Sequence, residues 1–206
     1  MAQFFEIHPE NPQLRLIHRA VDIIRKGGVV VYPTDSSYSI ACHLGDKGAL
    51  DKIRRIRQLD DKHNFTLVCT DLAQVSNFTK IGNDAYRMIK ALTPGPFTFI
   101  LDATREVPRR LQHPKKKTIG VRIPNHPVAQ LLVMELEEPL FSTSLILPGQ
   151  RDGLSDPHEI REQLEHQLDL VIDCGVIEFE LTTIIEFTNK GPEVTRQGIG
   201  LAPMLD

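Results

Sequence analysis

Short apolar runs alternate along this chain with longer segments in which apolar residues recur every three or four positions. Residues 12–26 show the longer pattern, which predicts an amphipathic helix ending at Gly27-Gly28, and the run VVVY at 29–32 predicts a strand after it. Further strands are predicted at 65–69, 97–101, 118–123, 140–145, 169–173, 182–187 and 193–197. Further helices are predicted at 47–58, 83–92, 127–137 and 155–167, and a short one capped by Asp71. This alternation predicts an α/β protein with a mixed sheet covered by helices.

The composition is that of a globular protein with one sizeable core. The chain has 206 residues, of which 41% are apolar and 25% charged, so we expect a single domain spanning 1–206. It contains no apolar run of about 18 residues and no basic N-terminal segment leading into an apolar stretch, so we expect neither a membrane span nor a signal peptide. Cys42, Cys69 and Cys174 suit neither a disulfide framework nor a metal site, and we therefore expect a cytoplasmic protein.

Charge is unevenly placed along the chain, although the net charge is only −3. Residues 105–122 contain seven Lys or Arg and one Glu, whereas 151–206 contain twelve acids and four bases. Clustered bases on a nearly neutral chain indicate a local anion site rather than general attraction to nucleic acid. For residues 105–117 alone, a solvated basic face opposite the acids explains the pattern equally well.

Most sequence signatures of catalysis are missing. The chain has no dinucleotide-binding fingerprint, Walker loop, nucleophile elbow or pair of zinc ligands, and none of its eight histidines is spaced with Cys or a carboxylate as metal ligands are. What remains is a set of polar residues that follow predicted strands or helices, which is where α/β proteins bind ligands.

Four such stretches contain hydroxyls or guanidinium groups: PTDSSYS at 33–39, RRIRQ at 54–58, TIGVR at 118–122 and STS at 142–144. Each by itself is better explained as a surface turn or helix end. Together with Arg196 they predict an anion-binding cleft, because hydroxyls and arginine forks suit phosphate or carboxylate. Arg55 and Arg57 diverge by about 200° on an ideal helix, so both reach one anion only if the helix ends between them.

These motifs also resemble a known family. The order PTD-x-x-Y, R-x-R, PGPFTFIL, TIGVRIPNHP, PLFSTS, TTIIE and R-x-G is similar to the YrdC/YciO-type family from about residue 12 to 200, and most similar to its stand-alone YciO branch. The resemblance implies a twisted sheet that encloses a large positive concave surface. It also implies L-threonylcarbamoyladenylate synthesis from threonine, bicarbonate and ATP with Mg²⁺, which supplies the t6A modification of tRNA. Binding of double-stranded RNA is a further property that the resemblance implies.

The resemblance assigns roles to individual residues. The nucleotide-binding positions are Arg55, Arg57, Ser144 and Arg196. The substrate-binding positions are Thr34, Tyr38, Thr118, Arg122 and Thr143. The chain departs from the synthases in having Arg55 for Lys, Ile146 for Asn, Cys69 for His, and Ser39 and Ala41 for glycines.

Three hypotheses about function follow. The first is binding of nucleotide or RNA phosphates in the basic cleft, with weak or altered threonylcarbamoyladenylate synthesis. The second is a module that binds double-stranded RNA without chemistry, through Lys115, Lys116 and Lys117. The third is a family member that has lost its ligand altogether.

Overall fold

The computed structural model describes residues 1–60, 63 and 65–203. Within that part the α-helices are α1 (Leu14–Arg25), α2 (Lys47–Arg57), α3 (Leu72–Phe78), α4 (Asn83–Leu92), α5 (Pro127–Leu136) and α6 (Pro157–Leu164). The strands are β1 (Gln3–Glu6), β2 (Val30–Pro33), β3 (Tyr38–His43), β4 (Thr66–Val68), β5 (Phe97–Asp102), β6 (Thr118–Arg122), β7 (Leu140–Ser144), β8 (Leu170–Asp173), β9 (Thr183–Thr188) and β10 (Gly191–Arg196). The predicted elements are all present, with ends shifted by a few residues, and β1 and β3 are additional.

The strands form one mixed sheet in the order β1-β8-β2-β3-β7-β4-β6-β5-β9-β10. The sheet contains parallel pairs, such as β4 with β6 and β5 with β9, and antiparallel pairs, such as β3 with β7 and β5 with β6. The predicted class, a mixed α/β sheet flanked by helices, is therefore confirmed. No helix among the described residues is long and apolar enough to cross a membrane.

Each face of the sheet carries its own core. Helices α2, α4 and α6 contribute to the core on one face, which includes Phe99, Val121 and Phe141. The core on the other face lies beneath α1 and α5, against residues of β8 and β2. In α1 the buried residues Ile17, Val21 and Ile24 lie one turn apart, and each buried aliphatic side chain contributes about 1.5–3 kcal/mol.

The second core does not extend over the whole of its face. Val68 on β4 belongs to this core and also borders a cavity, which continues along the same face as far as β9. There the strands present Thr, Ser and Arg instead of aliphatic residues. The uncovered part of this face is the concave surface on which the candidate site lies.

Candidate active-site cleft

The cavity has a volume of about 160 Å³ and is lined by seven strands or their ends, together with the end of α2 and the loop after it. Strand alternation decides which residues reach it: on β5 Phe97 and Phe99 enter the opposite core, while Thr98 faces the cavity. On β6 the same rule buries Ile119 and Val121 and turns Arg122 to the cavity, as predicted from the sequence.

The floor of the cavity depends on a glycine. Cross-strand neighbours place Ser142, Thr66, Gly120 and Ile100 side by side on β7, β4, β6 and β5. A Cβ atom on Gly120 would lie 2.9 Å from both the Phe65 carbonyl oxygen and Thr66 Oγ1, closer than such contacts normally come. Glycine at this position therefore lets the strands pack closely beneath the cleft.

A buried ion pair joins the cavity residue Arg122 to the turn between β2 and β3. Arg122 Nη2 donates to Asp35 Oδ1 at 2.5 Å and to Ser36 Oγ at 3.3 Å, and the two charged side chains are only 7% and 9% exposed. Asp35 Oδ2 also accepts from the backbone N–H of Asn125 at 2.8 Å. Arg122 Nε is buried and has no hydrogen-bond partner among the described residues. The pair therefore fixes the guanidinium and leaves one donor unused.

Arg196 is held by the strand beside it. Its Nε and Nη2 donate to the Thr182 carbonyl oxygen at 3.0 and 2.9 Å, and Nη2 also donates to Thr182 Oγ1 at 2.9 Å. Thr182 in turn shares a hydrogen bond of 2.9 Å with Thr98. Burial and then the charge of Arg122 lower the pKa of Arg196, which means that the two cations lie close enough to repel.

Arg57 and His63 form the wall that follows α2. This helix is capped by Asp46, which accepts from the Ala49 N–H at 2.8 Å, and it ends at Arg57. Arg57 Nη1 donates to the Ile146 carbonyl oxygen, but its Nε is buried without a partner in the described structure, and burial lowers its pKa. Burial and then Arg57 lower the pKa of His63 to about 4, so the imidazole is neutral at pH 7.

These contacts create an excess of positive charge in a partly desolvated space. Arg57, Arg122 and Arg196 line the cavity, and the nearby carboxylate of Asp35 compensates only Arg122. Hydroxyls of Ser39, Ser142, Thr143 and Ser144 surround them. Such a surface suits an anion that accepts several charge-assisted hydrogen bonds, of which phosphate is the clearest example.

The structure brings together five residues that the resemblance assigns to a site. Arg57, Arg122, Thr143, Ser144 and Arg196 all line the cavity, although they come from four separate segments. Thr143 Oγ1 also lies 3.1 Å from His63 Nε2, which links β7 to the loop after α2.

Four assigned residues lie elsewhere. Arg55 is exposed and its Nε donates to the Asp51 carbonyl oxygen, because α2 does not end until after Arg57 and the two arginines diverge. Thr34 is buried and closes the β2–β3 turn by donating to the Ser37 carbonyl oxygen at 2.7 Å. The other two are described next, and the ligand roles of all nine assigned residues stay predictions.

Tyr38 and Thr118 are both buried. Tyr38 lies in the core on the opposite face, where its hydroxyl donates to the Gly175 carbonyl oxygen at 2.8 Å and accepts from the Cys174 N–H at 3.1 Å. Thr118 precedes Gly120 by two residues on β6, so both lie on the same face of the strand. The Thr118 hydroxyl has no partner among the described residues.

The three lysines assigned to RNA binding point to different surroundings. Lys116 Nζ forms an ion pair of 2.6 Å with Glu186 on β9, and Lys117 Nζ donates to the Pro114 carbonyl oxygen at 2.8 Å. Lys115 is exposed. The triplet is therefore not a uniform row of free charges.

Sequence reasoning left several cavity residues unassigned. Ser142 stands inside STS but received no role, and His63, Thr66 and Thr98 were not singled out. Asp35, which pairs with the cavity residue Arg122, stands inside PTDSSYS and also received no role. Thr98 carries a usable signal, since it is the polar residue between two phenylalanines in a strand and so must face away from their core. The pairing of Asp35 with Arg122 has no such signal.

The sequence and the structure were compared with those of known proteins. Residues 22–198 match the family Sua5_yciO_yrdC, described as telomere recombination. The chain is 54% identical to YciO of Escherichia coli over 200 residues, 97% of each chain, and the crystal structure of E. coli YciO superposes with a TM-score of 0.96 at 53% identity over 100% of both chains. It is 28% identical over 160 residues to the threonylcarbamoyl-AMP synthase of Vibrio cholerae, covering 76% of this chain and 84% of that protein.

A more distant structure shows the same fold. Pyrococcus abyssi Sua5 complexed with L-threonine superposes with a TM-score of 0.87 at 24% identity, over 95% of this chain and 57% of that one. The match over most of the chain and the identity to YciO together place this protein in the Sua5/YciO/YrdC family.

Proposed function

We propose that the cleft binds phosphate groups of a nucleotide such as ATP, or of RNA, and that the protein carries a weak or altered L-threonylcarbamoyladenylate synthase activity linked to t6A. One observation carries the proposal: Arg57 and Arg122 border the same cavity, and each has a buried Nε–H without a partner among the described residues. An unsatisfied buried donor costs about 1–3 kcal/mol, more when it is charged. An anion that accepts from both removes that cost.

The chemistry of the reaction fits what the cleft contains. The threonine amine captures CO₂ derived from bicarbonate to give a carbamate, whose oxygen attacks the α-phosphorus of ATP and displaces pyrophosphate. This reaction needs two anions held in line and their charge neutralised, and it needs no protein nucleophile. The relative in Vibrio cholerae is named for this synthesis and the Sua5 relative is complexed with L-threonine, which supports threonine as the co-substrate.

Magnesium would enter this reaction with the triphosphate. Among the described residues no group of three or more His, Cys, Asp or Glu is arranged to hold a metal ion. Mg²⁺ commonly keeps several waters and binds through substrate phosphates, where it neutralises charge on the leaving pyrophosphate. The arginines would then hold the remaining phosphate oxygens.

Two departures from the synthases border the cavity itself. Ser39 replaces a family glycine, and Ile146 replaces the family asparagine, so an aliphatic side chain stands where an amide would donate to the ligand. Because these changes lie at the ligand and not in the core, they account for an unchanged fold with weakened chemistry.

The test is pyrophosphate release from ATP in the presence of threonine and bicarbonate, together with calorimetric titration of ATP. We expect measurable ATP binding, slow pyrophosphate release by the unaltered protein, and faster release by Ile146→Asn. Val176→Asn, which places the same amide at an exposed position (69%) outside the cavity, is the matched control. Absence of both ATP binding and pyrophosphate release would refute the enzyme proposal.

Arg196→Met separates the cleft from general charge effects. We expect it to weaken ATP binding at least tenfold, whereas Arg151→Met, an exposed arginine outside the cleft, leaves binding unchanged. The alternative hypothesis, a non-enzymatic double-stranded RNA-binding module, predicts affinity for duplex RNA that falls steeply with salt and depends on Lys115–Lys117 more than on Arg196. A protein without a retained ligand would show no thermal stabilisation by ATP or RNA.

A further inference from the structure

A second cavity lies at the end of the sheet where β5 stops and β6 begins, and it shares no lining residue with the arginine cleft. Its volume is about 900 Å³, and the connection 103–117 forms most of its wall. The resemblance to the synthases assigns no role to this connection, whose lysine triplet enters only the RNA-binding hypothesis.

The connection is a fixed scaffold. Val107 and Leu111 are each 1% exposed and belong to the core beneath the sheet. Gln112 Nε2 donates to the Val107 carbonyl oxygen at 2.8 Å, and the Lys117 N–H donates to the His113 carbonyl oxygen at 2.9 Å. Side chains carried by this loop therefore keep a defined arrangement around the cavity.

The charge around the cavity has one sign. Lys80, Arg105, Arg109 and Lys117 line it, and no Asp or Glu is among its described lining residues. In the part of the chain that the structure describes, the side chains of Lys80, Arg105 and Arg109 make no hydrogen bond or ion pair, although the protein as a whole is acidic. Uncompensated like charges on a rigid wall attract a multivalent anion.

The surroundings favour a compact anion over a long one. Glu106, Glu137 and Glu138 line an adjacent cavity beyond Asn77, whose carbonyl oxygen accepts from Thr104 Oγ1 at 2.9 Å. An extended polyanion crossing from the basic cavity would meet these carboxylates. A volume of about 900 Å³ lies within the usual range of roughly 300–1,000 Å³ for small-molecule sites.

We propose that the cavity lined by Lys80, Arg105, Arg109 and Lys117 is a second anion site, which binds a small molecule carrying two or more phosphate groups. The planar forks of Arg105 and Arg109 suit bidentate contacts to phosphate oxygens, and the two lysines supply point charges on either side. The site is independent of the cleft, so a ligand can occupy each at the same time.

Calorimetric titration with inorganic tripolyphosphate tests this site. Arg105→Ser/Arg109→Ser removes both forks, and Arg15→Ser/Arg151→Ser is the matched control because it removes two exposed arginines elsewhere and changes the net charge equally. We expect the first variant to lose one binding event or to weaken it at least tenfold, with an unaltered melting temperature, and the control to bind as the unaltered protein does.

The cleft variant keeps the two proposals separate. Arg196→Met should leave the event that depends on Arg105 and Arg109 intact, even if the cleft itself binds no nucleotide. Equal binding by Arg105→Ser/Arg109→Ser and the control would overturn the second site. Tighter binding of duplex RNA than of tripolyphosphate, lost in Arg105→Ser/Arg109→Ser, would also overturn the proposal. That result would show that the site binds an extended polyanion and not a compact one.

Discussion

Replacing Asp35 by Asn tests whether the ion pair between Asp35 and Arg122 acts as a buried charge interaction or as a surface contact. The carboxylate lies 2.5 Å from Arg122 Nη2, and the two side chains are 9% and 7% exposed. Asparagine keeps the shape and can still accept from the Asn125 N–H, but it leaves Arg122 buried without a counter-charge. Removing one partner of a buried pair costs about 3–5 kcal/mol, whereas an exposed pair contributes about 0–1 kcal/mol.

We therefore expect Asp35→Asn to lower the free energy of unfolding by about 3 kcal/mol, at the lower end of that range because the amide still hydrogen bonds. Urea denaturation at pH 7 measures this value. The control is Asp84→Asn, which breaks an ion pair of 2.6 Å whose side chains are 88% and 76% exposed, and which should cost less than about 1 kcal/mol. Equal losses in the two variants would refute the reasoning.

A double variant that also replaces Arg122, and the addition of phosphate, test the same charge interaction independently. Combining Asp35→Asn with Arg122→Met removes the uncompensated charge, so the double variant should be more stable than Asp35→Asn alone. Phosphate should raise the melting temperature of Asp35→Asn more than that of the unaltered protein, because a bound anion takes the place of the carboxylate. A mere packing defect would not respond to phosphate in this way.

Three further results are expected. Tyr32→Phe removes a buried hydrogen bond of 2.9 Å to Ser142, so it should lower the free energy of unfolding by about 1–2 kcal/mol in urea, and an unchanged value would contradict the contact. His63 should titrate near pH 4 by NMR, below its usual 6.5, so the unfolded chain binds more protons in that window and stability falls as the pH drops from 6.5 to 4; a pKa near 6.5 would contradict its burial beside Arg57. Gly120→Ala should weaken ATP binding and lower the melting temperature, because its Cβ would crowd Thr66, and ATP affinity equal to that of the unaltered protein would show that the floor can adjust.

Sequence reasoning found eight of the ten described strands, and β3 shows why one of the other two was missed. Its residues follow a Pro-Thr-Asp-Ser-Ser turn and mix Ser39 and Ala41 with apolar neighbours, so the stretch reads as a polar loop. In the structure Tyr38, Ile40 and Cys42 enter one core, while Ser39 turns to the cleft. The alternation that marks a half-buried strand is interrupted in β3 by Ala41, so its signal is weaker than that of β6.

The sequence predicts which face of a strand a cleft residue occupies only where the alternation of that strand decides it. Alternation along β6 places Arg122 opposite its buried neighbours, and this needs no knowledge of the rest of the fold. The contact between Asp35 and Arg122 spans 87 positions and depends on a sheet order that inserts β7 and β4 between β3 and β6. No local pattern in the sequence encodes that order.

Helix phase explains why Arg55, unlike Arg57, does not line the cavity. Arg55 and Arg57 both belong to α2, and the left-handed residue that ends the helix is Gln58 with φ 49°. Since the helix continues through both arginines, only Arg57 turns toward the cavity. The sequence alone left open whether the helix would end between them.

Strands such as β5 and β6 contribute alternate residues to the core and to the cleft. The same strand register therefore fixes both surfaces, while the side chains on each surface can change separately. A shift of β6 by one residue would exchange Arg122 for Val121 and destroy both surfaces together. A change of side chain on the cleft face, such as Ser39 or Ile146, disturbs no residue of the opposite core. This separation explains how the chain shares the fold of threonylcarbamoyl-AMP synthases while carrying different groups in the cavity, and why fold similarity alone does not decide its activity.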